Sequence, residues 1–213
     1  MIKKRSFLII AIAFFIMGCA GIKVQHDDIN IPAGKIEGNY FTGIRYPFHV
    51  TAPPDWKMTM EFPDFLKELG YDKPDPGDNE VTELYLFNPE TKSNIQIDFT
   101  PAGHSAQFSQ KYIELLTTAA MGSLQEEMEK DYGKGIKFEV SPTEPYILKG
   151  VQFAAQKYAT YSLEGVKREQ GWIYGFSEPY QIFILYMILP NEGANDREDM
   201  KTILDSFEVI PPK

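Results

Sequence analysis

The stretch that most constrains this chain is YQIFILYMIL, residues 180–189. Read as a strand, it points Ile182, Ile184, Tyr186 and Ile188 one way and Phe183, Leu185, Met187 and Leu189 the other. Both faces are apolar and no charge interrupts them, so both need cover from elsewhere in the chain. Its ten residues are too few to cross a bilayer as a helix, which takes about 20. The segment therefore predicts a central strand with other elements packed on each side.

The neighbouring sequence supplies those elements. Alternation predicts strands at 47–52 and 56–60, with Pro53-Pro54-Asp55 as the turn between them. A short helix is expected at 64–69, ended by Gly70, followed by a loop rich in Asp, Pro and Gly over 71–79. Strands follow at 81–87 and 93–100, the second with Ile95, Ile97 and Phe99 on one face and Asn94, Gln96 and Asp98 on the other. The longest helix is expected over 105–132, with Phe108, Tyr112, Leu115, Ala119, Leu124, Met128 and Tyr132 as its apolar stripe and Gly133 as its stop. Strands resume at 136–140 and 151–163, then 167–175 and 180–189 pair as a hairpin around Ser177-Glu178-Pro179. A last helix, 196–205, presents Met200, Ile203 and Leu204. The fold class expected is α+β: an antiparallel sheet covered by helices on both faces, an α/β/α sandwich.

The start of the chain is a separate matter. Lys3, Lys4 and Arg5 precede an apolar run from 7 to 17, and small residues flank Cys19, the lone cysteine. This is the layout of a secretory signal peptide. As a helix the apolar run would be roughly 17 Å long, against ~30 Å for a bilayer core. Ile16-Met17-Gly18-Cys19 resembles the bacterial lipobox. That resemblance implies cleavage between Gly18 and Cys19, diacylglycerol on the thiol and acylation of the new amine. A plain signal peptide with a chance cysteine is the alternative. Cleavage would lower the basic residues from 21 to 18 against 30 acids, a balance of −12. Such a domain is expected to stand off anionic lipid rather than lie flat on it. The domain organisation expected is a signal peptide at 1–18, a lipidated start and flexible tether at 19–39, and one globular domain at 40–213. Ala20 after the cysteine resembles an outer-membrane sorting pattern, which implies a lipoprotein of the cell envelope facing the periplasm.

The element order resembles the PsbP-like superfamily, which includes DcrB-type bacterial lipoproteins. Three features carry the resemblance: Phe48-His49-Val50 through Pro54-Asp55-Trp56, the mid-chain helix after a strand, and Ile203-Leu204-Asp205-Ser206-Phe207. It spans about 40–210 and implies the α/β/α sandwich. It carries no shared enzyme chemistry, and it implies an accessory or assembly role with a protein partner.

Candidate chemistry is sparse. Net charge of −9 argues against a nucleic-acid partner. His26, His49 and His104 fall in no zinc spacing, so no metal is expected. The loop acids Asp72, Asp75, Asp78 and Glu80 lack EF-hand spacing, and Pro74 and Pro76 stiffen the loop. Glu83 and Asp98 lie on neighbouring strands as a candidate acid–base pair. A lipidated Cys19 leaves no thiol nucleophile. No catalytic residue and no cofactor is assigned. Trp172, Tyr174, Phe176 and Tyr180 form the candidate ligand or partner surface, with core packing as the alternative. The first functional reading is a non-enzymatic, membrane-tethered binding or assembly factor. The alternatives are a carrier of a small apolar ligand and, last, a hydrolase without a recognisable motif.

Overall fold

A computed structural model describes residues 30–69, 71, 82–102, 108–189 and 195–210. The chain runs through β1 (Gly34–Glu37), β2 (Tyr40–Gly43), β3 (Phe48–Thr51), β4 (Lys57–Thr59), α1 (Asp64–Glu68), β5 (Thr82–Phe87) and β6 (Asn94–Pro101). It continues through α2 (Gln110–Tyr132), β7 (Glu139–Val140), β8 (Glu144–Pro145), β9 (Phe153–Leu163), β10 (Val166–Ser177) and β11 (Tyr180–Ile188). It ends in α3 (Asp196–Ser206) and β12 (Glu208–Val209). The large sheet is ordered β4-β5-β6-β11-β10-β9-β7, with β8 also paired to β9, and the small one β1-β2-β3-β12. The strand pairs in both are antiparallel.

The YQIFILYMIL strand is central, as its two apolar faces require. Register places Leu84, Ile97, Ile184 and Ile173 in one row across four strands. That face packs against Phe41, Phe48 and Val50 of the small sheet and Met200, Ile203 and Leu204 of α3. The other face carries Trp172, Tyr174, Ala155 and Ala159, under Ile113, Leu116, Ala120, Leu124 and Met128 of α2. The alanines on β9 let the helix approach the sheet closely. α1 covers the same side farther along, with Phe65 and Leu66 against Tyr85. On one side the cover is therefore helical, and on the other it is a second sheet with α3.

Two expectations need correction. The tether was expected to reach residue 39, yet Gly34–Glu37 is a strand of the small sheet. The two described glycines of this segment have structural roles, one in packing and one in a turn. A Cβ at Gly34 would meet the Phe41 ring at 2.3 Å, and Gly38 turns the chain at φ 63°. Ile36 packs against the core. Second, the buried stripe of α2 is Ile113, Leu116, Thr117, Ala120, Leu124 and Met128, so Leu115 and Ala119 face outward. The helix begins at Gln110 because the Ser109 side chain accepts the Tyr112 N–H and caps it.

Candidate functional site

The outward face of α2 combines an exposed apolar side chain with an open depression. Thr117 is fully buried, and its carbonyl accepts the Trp172 indole N–H at 2.7 Å. That bond fixes the rotation of the helix over the sheet. With Leu116 and Thr117 turned inward, Leu115 stands 63% exposed. It lies in an open depression of about 590 Å³ with Lys111, Tyr112, Glu114 and Thr118 of the same helix. Thr143, from the segment between β7 and β8, forms the far wall.

A directed chain of hydrogen bonds pins that wall. Lys157 Nζ donates to the Ser141 carbonyl at 2.9 Å and to Thr143 Oγ1 at 3.2 Å. The Thr118 hydroxyl donates to the Glu114 carbonyl at 2.8 Å. Its single proton is thereby used, so the 2.8 Å contact between the two threonines must run from Thr143 to Thr118. Lys157 is buried, so its ammonium lies below the depression rather than in solvent. The result is an exposed leucine beside two hydroxyls whose protons are already placed. Such a surface suits apolar contact with a polar rim better than bond making.

The expected aromatic surface does not assemble as one patch. Trp172 and Tyr174 are buried beneath α2. Tyr174 packs its ring on Phe183 at 4.7 Å, and Phe176 stacks on Phe108 at 4.0 Å. Tyr180 lies on the opposite face, edge-on to Tyr46 at 5.1 Å. Parity explains the split. Tyr180 pairs with Ser177, which points away from Trp172, Tyr174 and Phe176 along β10. The core alternative holds for Trp172 and Tyr174.

The candidate acid–base pair is divided as well. The ladder shifts between Thr82 and Leu84, and Asp98 pairs with Thr82. Glu83, at that irregularity, is buried and takes the Arg45 guanidinium at 2.8 Å. Arg45 also donates from Nε and Nη2 to the Ile31 carbonyl, at 3.0 and 2.8 Å. The group is therefore a clamp on the incoming chain. His49 lies 3.4 Å from Glu208 on the small sheet. Among the described residues, no three His, Cys, Asp or Glu side chains converge as metal ligands. Gly18, Cys19, His26, His104 and the acids at 72, 75, 78 and 80 lie outside the described residues.

Burial shifts several titratable groups near the end of α2. It pushes the Tyr161 hydroxyl up to about 12, and that hydroxyl donates to Gln170 at 2.9 Å. Burial, and secondarily the charge of Asp131, pushes the Glu127 carboxyl up to about 7. Leu115 as a surface residue, together with Lys157, Thr143 and Thr118, is absent from the sequence-based expectations. An apolar pair such as Leu115-Leu116, one member too many for a single stripe, is the signal that was there to find.

The large antiparallel sheet with few helices defines an α+β fold of the PsbP type. It resembles the solution structure of the cyanobacterial PsbP protein CyanoP from Synechocystis sp. PCC 6803 at a TM-score of 0.54 and 9% identity, covering 92% of this chain and 99% of that one. It also resembles LpqN, involved in cell envelope biogenesis of Mycobacterium tuberculosis, at a TM-score of 0.50 and 14% identity, covering 78% of this chain and 84% of that one. No family model matches the chain, and no curated protein matches it in sequence. Among the described residues no helix is long and apolar enough to cross a membrane.

Proposed function

We propose that this chain is a non-enzymatic, lipid-anchored protein of the cell envelope that binds a protein partner through the outward face of α2. The observation that carries the reading is Leu115, 63% exposed in a depression whose wall is pinned by Lys157. Exposed apolar side chains framed by fixed polar groups are what partner surfaces use. The lipobox-like Ile16-Met17-Gly18-Cys19 supports the anchor, and Ala20 supports an outer-membrane address facing the periplasm. The involvement of LpqN in envelope biogenesis agrees with this reading. A carrier of small apolar ligands is less well supported, because α2 side chains fill the space over Trp172 and Tyr174.

The test is in-cell photo-crosslinking from position 111, at the edge of the depression, with position 162 as an exposed control. A discrete adduct is expected at 111 and not at 162. Leu115→Asp should abolish it while leaving thermal unfolding unchanged, since the side chain contributes little to the core. If the adduct survives Leu115→Asp, the depression is not the binding surface. The anchor is tested separately: Cys19→Ala should abolish acyl labelling and leave the precursor uncut before residue 19.

A further inference from the structure

The small sheet buries Phe41, Phe48 and Val209 and turns the alternate residues outward. Along the strands that outward face is polar, with Lys35, Thr42, His49 and Glu208 in one row, but the residues flanking the strands at the end where the chain enters are apolar. Ile31, Ile44 and Ile210 are 40%, 57% and 43% exposed. The backbone brings them together: Ile44 N–H donates to the Ala33 carbonyl at 2.9 Å, and Ile210 N–H to the Pro47 carbonyl at 2.7 Å. Pro47 thus joins the group, and both ends of the described chain meet there. Among the described residues beside the patch, Lys35 is paired with Glu37 and Arg45 with Glu83, and Glu208 lies 3.4 Å from His49, which balances it only when protonated.

We propose that this patch docks on the lipid surface to which the chain is anchored. The inference rests on lipid attachment at Cys19. Eleven residues lie between Cys19 and Ile31, a reach of at most roughly 40 Å when fully extended. Arg45 grips the Ile31 carbonyl, so the chain is held in the fold from the patch onward and not from residue 39. Among the described residues, Ile31, Ile44, Pro47 and Ile210 therefore form the apolar group beside the point where the chain from Cys19 enters the fold. A short linker raises the effective concentration of a weak second contact to the millimolar range. A few isoleucines at the headgroup boundary then suffice, where they would not hold a free domain. The balance of −12 would hold the domain as a whole off anionic lipid, so contact is confined to this patch, where the Lys35–Glu37 and Arg45–Glu83 pairs lessen the repulsion. α2 covers the opposite side of the large sheet, so docking by the small sheet leaves the Leu115 depression facing away from the membrane.

The experiment uses the mature lipidated chain in phosphatidylcholine vesicles. With Cys19 occupied by lipid, single cysteines at Ile44, Ile210 and Leu115 each take one nitroxide label. The ratio of collision with oxygen to collision with a water-soluble nickel chelate reads membrane contact. We expect a ratio several-fold higher at 44 and 210 than at 115, reduced by Ile31→Ser. Equal ratios at all three positions, with acyl chains on Cys19 verified by mass spectrometry, overturn the docking face and leave the anchor intact. Absence of acyl chains overturns both. Shielding at 44 and 210 that vanishes when protein is diluted at constant lipid overturns the proposal in favour of a second copy of the chain.

Discussion

Glu127 is the residue with the clearest pH signature. Its carboxyl is pushed up to about 7 by burial first and by Asp131, one turn on, second. In the unfolded chain it returns to 4.5. Between those values the folded state holds the extra proton, so the contribution of Glu127 to stability falls as pH rises from about 4.5 through 7. The urea midpoint is expected to drop between pH 5 and pH 8, and Glu127→Gln should flatten that slope. An unaltered slope in the variant would assign the pH dependence to another group. On the same helix, Leu115 and Leu116 stand side by side in opposite surroundings, 63% and 8% exposed. Periodicity alone could not separate them. Two stripes, one through 112, 115 and 119 and one through 113, 116 and 120, are each consistent with a helix. What separates them is the Trp172 bond to Thr117 and the small residues Ala155 and Ala159 opposite. Those contacts join parts of the chain that are distant in sequence.

α3 is held to the rest of the molecule by a buried carboxylate. Asp196, in its first turn, accepts from Asn88 Nδ2 at 3.0 Å and from the Ser93 hydroxyl at 2.7 Å. Ser93 Oγ in turn accepts the Leu189 N–H at 3.0 Å. The helix start, the β5–β6 turn and the end of β11 are thereby joined at one point. Asp196→Ala strands two buried donors and should cost on the order of 3 kcal/mol. The readout is the urea midpoint, together with faster amide exchange in α3. A variant with wild-type exchange there would separate α3 docking from this carboxylate. At this scale the sequence is informative where the pattern is long. β11 has two apolar faces, and β9, β10 and α2 are long enough to average out local ambiguity. β1, β8 and β12 escape notice because two to four residues carry no period. β1 also holds the glycine that a linker would hold, and only the Phe41 ring lying over Gly34 shows why.

Taken whole, the molecule is layered, with α1 and α2 on one side of the large sheet and α3 with the small sheet on the other. The central strand demanded two covers. That the second would be mainly a sheet is written in pairings between residues 34–51 and 208–209, which are far apart in the chain. The clamp at Arg45 has a mechanical consequence. A pull arriving through the chain ahead of Asn30 loads the Arg45 bonds to the Ile31 carbonyl, themselves backed by Glu83. Beyond them lies an edge strand whose ladder, from Gly34↔Gly43 to Glu37↔Tyr40, is reached one pair after another. Of its side chains, Ile36 is the one packed against the core. Force spectroscopy from residue 30 should therefore record a small early extension before the main rupture, at lower force in Arg45→Ala. A single rupture without that precursor would show that β1 yields together with the core. An edge strand that yields ahead of the core would lengthen the chain under load and spare the large sheet behind it.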